Sequence, residues 1–215
     1  MPDHLVPRAR AFFRELKANN SRDWFQANKP RFERDIKNPA QWLADEISQA
    51  LNRQTSLPMA TKIFRQNRDV RFSKDKTPYN THLHMLWSPQ GHDHGSVSGY
   101  FLGISPDYVK VGAGRMTFDK SALETYRSTV AGSEGSTLAE ILQHVVKKRG
   151  QIDEPELKRV PSGFAKDHPN AELLRRKGLV VWFNIAPDVS DEKLVKTTLQ
   201  SFEIAQPLTK WLDSI

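Results

Sequence analysis

Residues 97–104 and 108–111 are both β-prone, and only Ser105-Pro106-Asp107 separates them. Three residues close a hairpin, whereas a parallel crossover needs a dozen or more. The β-prone runs on either side are also joined by short connections, so the middle of the chain predicts an antiparallel sheet. Residues 63–72 form one such run. Residues 81–88 form another and alternate, with Leu83, Met85 and Trp87 on one face and His82, His84 and Leu86 on the other.

The ends of the chain have a helical period instead. Phe12, Phe13 and Leu16 share a helix face, and Asn19-Asn20-Ser21 breaks the run and offers an N-cap. Trp24, Phe25, Phe32 and Ile36 continue an apolar stripe, with Pro30 expected to kink or restart the helix. Asn38-Pro39 reads as a cap followed by proline at the first helical position, ahead of Leu43, Ile47, Ala50 and Leu51. Towards the other end, Asp119 is placed to cap a helix carrying Leu123, Tyr126 and Val130. Thr137-Leu138-Ala139-Glu140 matches a capping box. A short helix over residues 169–177 is closed by Gly178, and residues 179–185 read as a buried strand. Ser190 starts a further helix, and residues 207–212 form a last short one. No internal repeat and no Gly/Ser linker divides the chain. The expectation is a single α+β domain over residues 1–215, a central antiparallel sheet flanked by N-terminal and C-terminal helices.

A chain of 215 residues buries roughly 70% of its unfolded surface, so it needs no metal or disulfide to fold. It has no cysteine, which excludes disulfides, thiolate zinc sites, iron–sulfur clusters and cysteine nucleophiles. No signal-like apolar core opens the chain and no apolar run approaches membrane-spanning length, so a cytoplasmic protein with no membrane partner is expected. The net charge of +7 favours anionic partners: phosphates, nucleotides or nucleic acid.

The densest polar segment is Arg65-Gln66-Asn67-Arg68-Asp69-Val70-Arg71-Phe72-Ser73-Lys74-Asp75-Lys76-Thr77-Pro78-Tyr79. Five cations, Arg65, Arg68, Arg71, Lys74 and Lys76, face only Asp69 and Asp75. If residues 67–73 are extended, Asp69, Arg71 and Ser73 face one way and Arg68 the other. Asp69 would then hold the Arg71 guanidinium ready for a phosphate or carboxylate. Residues 73–79 read as a loop in which Lys74 and Lys76 supply charge, Thr77 a hydroxyl and Tyr79 a stacking or hydrogen-bonding ring. The candidate ligand-binding set is Arg68, Asp69, Arg71, Ser73, Lys74, Asp75, Lys76, Thr77 and Tyr79. The alternative is a rigid turn locked by its own ion pairs.

The twelve residues Arg68-Asp69-Val70-Arg71-Phe72-Ser73-Lys74-Asp75-Lys76-Thr77-Pro78-Tyr79 resemble the signature of a bacterial and fungal family known as domain of unknown function 2461. Asn19-Asn20-Ser21-Arg22-Asp23-Trp24-Phe25 resembles that family's opening, and Gly99-Tyr100-Phe101-Leu102 its central strand. Pro161-Ser162-Gly163-Phe164 and Asp167-His168-Pro169, leading into Glu172-Leu173-Leu174, resemble its later section. The resemblance brings no activity or cofactor with it. It does weight residues 68–79 towards being a site.

Histidines form a second constellation. His82 and His84 lie at i and i+2 on one strand face, roughly 7 Å apart, and Gly91-His92-Asp93-His94-Gly95 follows in a loop. By ligand type such a set suits zinc, nickel or non-haem iron. The loop lies past the far end of the strand, so ordinary sheet histidines are favoured and no metal is assigned. Only His82 belongs to the resemblance. Asp167-His168-Pro169 pairs a carboxylate with an imidazole, but neighbours in sequence rarely point at each other, and helix capping accounts for them. The basic residues Lys147, Lys148 and Arg149, and Arg175, Arg176 and Lys177, are expected at helix C-termini, where cations complement the dipole.

No Walker A loop, dinucleotide fingerprint, G-x-S-x-G elbow or H-E-x-x-H helix occurs. Three functional classes remain. The first is binding or turnover of a phosphorylated or otherwise anionic small molecule at residues 68–79. The second is nucleic-acid binding through a broad basic face that includes Lys147, Lys148, Arg149, Arg175 and Arg176. The third is a metal-dependent enzyme around His82 and His84. The first is preferred, and no catalytic residue, cofactor or oligomeric state is assigned.

Overall fold

The computed structural model describes residues 4–92 and 97–215. The architecture is α+β, with an antiparallel six-stranded sheet flanked by helices. Helices α1 (Leu5–Ala18), α2 (Arg22–Phe32) and α3 (Asn38–Thr55) come first. Strands β1 (Met59–Ile63), β2 (Leu83–Pro89), β3 (Gly99–Ile104) and β4 (Val109–Arg115) follow. Then come α4 (Lys120–Ala131), α5 (Glu134–Lys147), β5 (Gln151–Ile152), α6 (Ala171–Leu174), β6 (Leu179–Asn184) and α7 (Asp191–Asp213). The strand order is β1-β2-β3-β4-β6-β5. The expected hairpin is present: Ser105 N–H donates to Tyr108 O at 2.8 Å, and Ser105 Oγ accepts from the Asp107 and Tyr108 amides.

The described chain forms two compact units. The first comprises Met1–Trp87, Phe101–Val111 and Asn184–Gln200. In it α1 buries Leu5, Val6, Ala9, Phe12, Phe13 and Leu16, the 3.6-residue pattern expected of a core-facing helix. Ser21 caps α2 by accepting from Trp24 N–H at 3.3 Å, as its position predicts. Trp87 on β2 is fully buried, and its indole N–H finds Ala44 O on α3 at 3.0 Å, which satisfies the one polar atom of that ring. The second unit comprises Ser88–Tyr100, Gly112–Phe183 and Ser201–Ile215. Its core holds Tyr126 stacked on Phe118 at 4.6 Å and edge-on to Trp211 at 6.3 Å. Gly114 on β4 has φ +137°, and a Cβ there would lie 2.1 Å from Leu179 O on β6, so only glycine allows this approach of the strands.

Five local expectations are corrected. The run 63–72 is not a strand: β1 ends at Ile63, Phe64 N–H still reaches His84 O, and further on Asn67 forms an isolated bridge with Tyr79. Its polar groups bond to the returning arm of the same loop, Arg68 N–H to Pro78 O and Asn80 N–H to Gln66 O. Asn38 does not cap a new helix. A π-helical turn over Glu33–Lys37 joins α2 to α3, with Asn38 N–H reaching back five residues to Glu33 O. That wider turn gives the Pro39 ring room that an α-turn would deny it. Thr137 lies inside α5, which begins three residues earlier at Glu134. Pro207 does not divide the last helix either, because Phe202, Ala205, Leu208 and Leu212 remain buried on either side of it. The helix expected over 169–177 is a single turn, Ala171–Leu174.

Candidate functional site

Residues 65–80 leave the sheet after β1 and return to it before β2. The base of the loop is clamped by Gln66, a buried amide whose Nε2 donates to Asn80 O at 3.1 Å and to His82 O at 3.0 Å. Asn20, in the break between α1 and α2, ties down the returning arm through the backbone N–H and C=O of Tyr79. The Tyr79 ring is 4% exposed and stacks on Phe25 at 4.1 Å, so this residue is core.

Inside the loop the charges are largely paired with one another. Arg68 Nη1 donates to Asp75 Oδ2 at 2.6 Å, to Thr77 O at 3.1 Å and to Thr77 Oγ1. Its Nη2 lies 3.5 Å from Ser73 Oγ. Asp75 also accepts the Thr77 amide at 2.9 Å and the Thr77 hydroxyl at 3.0 Å. The backbone bond from Thr77, then Arg68 and the hydroxyl, hold the Asp75 carboxyl down at about 2. Arg71 Nη2 meets Asp69 Oδ2 at 2.7 Å and its Nε meets Asp69 Oδ1 at 3.0 Å, which lowers the Asp69 pKa. Lys76 Nζ donates to Val70 O at 3.0 Å. Lys74 is exposed, and Phe72 at the tip is 97% exposed. Arg68 is thus turned inward to Asp75 and Thr77, rather than across a strand from Asp69 and Arg71.

A cleft of about 380 Å³ opens beside the base of this loop, lined by Phe64, Arg65, Asn67, Arg68, Asp69, Asn80, His82 and His84. It joins two groups that are separate in sequence, the start of the basic motif and the paired histidines. Of the nine candidate ligand residues, only Arg68 and Asp69 line it; Arg71, Ser73, Lys74, Asp75, Lys76, Thr77 and Tyr79 do not. Sequence reasoning passed over Asn67 and Asn80 as ligand groups and left Arg65 out of the set. The one signal for the amides was their place at each end of the motif.

The His82 and His84 rings stack at 3.8 Å with planes 23° apart. Their lone pairs therefore lie in two nearly parallel, stacked planes, an arrangement poorly suited to converging on one metal ion. His84 Nε2 lies 2.7 Å from Tyr108 Oη, and Phe64 sits edge-on to the same ring at 6.5 Å. Gly103 on β3 makes room for that pair: a Cβ there would be 3.0 Å from Tyr108 Cε2 and 3.2 Å from His84 Cδ2. Burial pushes the His82 pKa down. Burial, then the charges of His82 and Lys110, push His84 down to about 4, so His84 is neutral at pH 7. Among the described residues no group of three or more His, Cys, Asp or Glu is placed to hold a metal. Asp93 and His94 lie outside the described residues.

His168 is a structural residue. Its Nδ1 accepts Asn170 N–H at 3.0 Å and its Nε2 lies 3.3 Å from Ala131 O, so one nitrogen serves the backbone just before α6 and the other the end of α4. No helix of the described chain is long and apolar enough to cross a membrane.

A search of the curated proteins found no match. The motif, its anchoring to the α1–α2 break and the later Asp167-His168-Pro169 turn all fall within residues 8–211, which match the family described as conserved hypothetical protein, DUF2461. That match covers nearly the whole chain, and the chain therefore belongs to the DUF2461 family.

Proposed function

We propose that the cleft between Arg65 and the His82–His84 pair binds a small ligand through a single anionic group, a phosphomonoester or a carboxylate. The observation that carries this reading is the lining itself. Two guanidinium-bearing residues, two amides and two imidazoles surround one concavity, and its one acid, Asp69, is already paired with Arg71. Arg65 is exposed and forms no ion pair among the described residues; it acts on the Asp69 carboxylate only through its charge, which leaves its fork open to a bidentate anion. Arg68, engaged with Asp75 and Thr77, contributes fixed positive charge rather than a new contact. Asn67 adds a neutral donor, Asn80 keeps one amide hydrogen beyond the one it gives to Arg65 O, and the imidazole of His82 offers a further hydrogen bond. The volume falls in the ordinary range for small-molecule sites.

The test follows the imidazole NMR signals of His82 and His84 while inorganic phosphate, simple phosphomonoesters and carboxylates are added. Saturable shifts at both residues are expected with at least one anion. Arg65→Ala should weaken that binding by about ten- to a hundredfold, the worth of one charge-assisted hydrogen bond or pair, with the fold unchanged. Unmoved histidine signals with every anion, or equal affinity in the variant, would remove the reading.

A further inference from the structure

The short α6 leaves one feature of the sequence without its expected cause. Arg175 and Arg176 were to complement a helix dipole, yet α6 is one turn long. Arg176 has another role: it is 4% exposed and donates to Asp153 O at 2.7 Å and to Glu172 Oε1 at 2.8 Å. Arg175 lines a second concavity, of about 510 Å³, together with Lys158, Arg159, Val160, Lys166 and Ala171.

Four of those six residues are cations and none is an acid. None of the four takes part in an ion pair among the described residues. Some cations elsewhere are paired, as in Lys17–Asp107, Arg31–Glu15, Arg71–Asp69 and Arg176–Glu172, whereas these four converge on one hollow with no acid among its lining residues. The cluster is held in place by the backbone. Leu157 N–H donates to Arg175 O at 3.1 Å, which fixes Lys158 and Arg159 beside Arg175. Turns closed by Phe164 N–H to Pro161 O and by His168 N–H to Ala165 O then bring Lys166 round to the same opening. His168, bonded through both ring nitrogens, anchors the end of that loop. Four like charges around one hollow repel each other, and a multivalent anion relieves that repulsion at a single stroke.

We infer that this hollow is a binding site for a small molecule bearing a chain of two or more phosphates. Lys158, Arg159, Lys166 and Arg175 supply the charge, and Val160 and Ala171 supply apolar wall. The site lies outside the histidine cleft and does not depend on it. A small ligand is favoured over a nucleic-acid strand because the cations surround one concavity instead of forming a stripe.

The experiment is isothermal titration of the full chain with inorganic tripolyphosphate and with adenosine triphosphate, at fixed ionic strength. Saturable one-to-one binding is expected. Arg175→Ala and Lys158→Glu, both substitutions of unpaired side chains, should each weaken it by about tenfold or more. Arg65→Ala, in the other cleft, should leave it unchanged. Equal affinity for both ligands would mean that the phosphate chain alone is read, and tighter adenosine triphosphate would add recognition of the nucleoside. No binding, or binding lost in Arg65→Ala and kept in Arg175→Ala, would overturn the inference. So would single-stranded RNA binding more tightly than tripolyphosphate with a steep salt dependence, which would make the hollow part of a nucleic-acid interface.

Discussion

Asn20 and Tyr79, fifty-nine residues apart, share two hydrogen bonds: Tyr79 N–H donates to Asn20 Oδ1 at 3.1 Å, and Asn20 Nδ2 donates to Tyr79 O at 2.9 Å. The side-chain amide imitates a neighbouring strand and closes the motif against the α1–α2 break. Asn20→Ala removes the partners of two part-buried backbone groups. A loss of about 1–3 kcal/mol is expected in urea denaturation, the usual cost of stranding such groups. Asn20→Asp should also destabilise, because the carboxylate keeps the acceptor, loses the donor and faces the Tyr79 carbonyl.

Gly103 should not tolerate a methyl group. Its Cβ would press on Tyr108 and His84 at 3.0 and 3.2 Å, and both rings are held by their mutual hydrogen bond. Gly103→Ala is expected to cost about 1–3 kcal/mol, as overpacking does. If His84 is displaced outward, its pKa should rise towards the ordinary value, which a histidine NMR titration reads directly.

Stability should fall in mild acid. His84 titrates near 6.5 when unfolded and at about 4 when folded. Between those values the unfolded chain binds a proton that the folded chain refuses, so the contribution is complete above pH 6.5 and is lost as pH falls towards 4. His82 acts in the same direction. The check is Tm across that window in the wild type and in His84→Gln, where the pH dependence should be shallower. For a chain of this length about 2–4 °C corresponds to each kcal/mol.

Asp75→Asn should loosen the loop while leaving the core intact. Asp75 is solvent-exposed, but it receives the Thr77 amide, the Thr77 hydroxyl and the Arg68 guanidinium. Hydrogen exchange at Thr77 should quicken with little change in Tm. In the wild type the same loosening should appear only as pH falls from about 3.8 towards about 2, where the carboxylate becomes protonated.

Local order was legible from the residues alone. Ser21 and Asp119 cap the helices they precede, Ser105-Pro106-Asp107 turns a hairpin, and Leu83, Met85 and Trp87 face the core together. Each depends on groups within a few positions of one another, and period and capping chemistry report such groups well. Breaks at Asn38 and Pro207 were misplaced because helix continuity there depends on the buried faces of Ile36 and Leu208, a tertiary contribution that outweighs a local signal. The resemblance of residues 68–79 to the family signature likewise lay in the sequence, and the match over residues 8–211 bears it out. Only the tertiary structure decided that Arg68 turns in to Asp75, that Tyr79 is core, and that His82 and His84 share a cleft with Arg65. Those outcomes rest on Asn20 reaching Tyr79 and on Gln66 reaching His82. A side chain finds such partners only once the strands and helices that carry them are already packed.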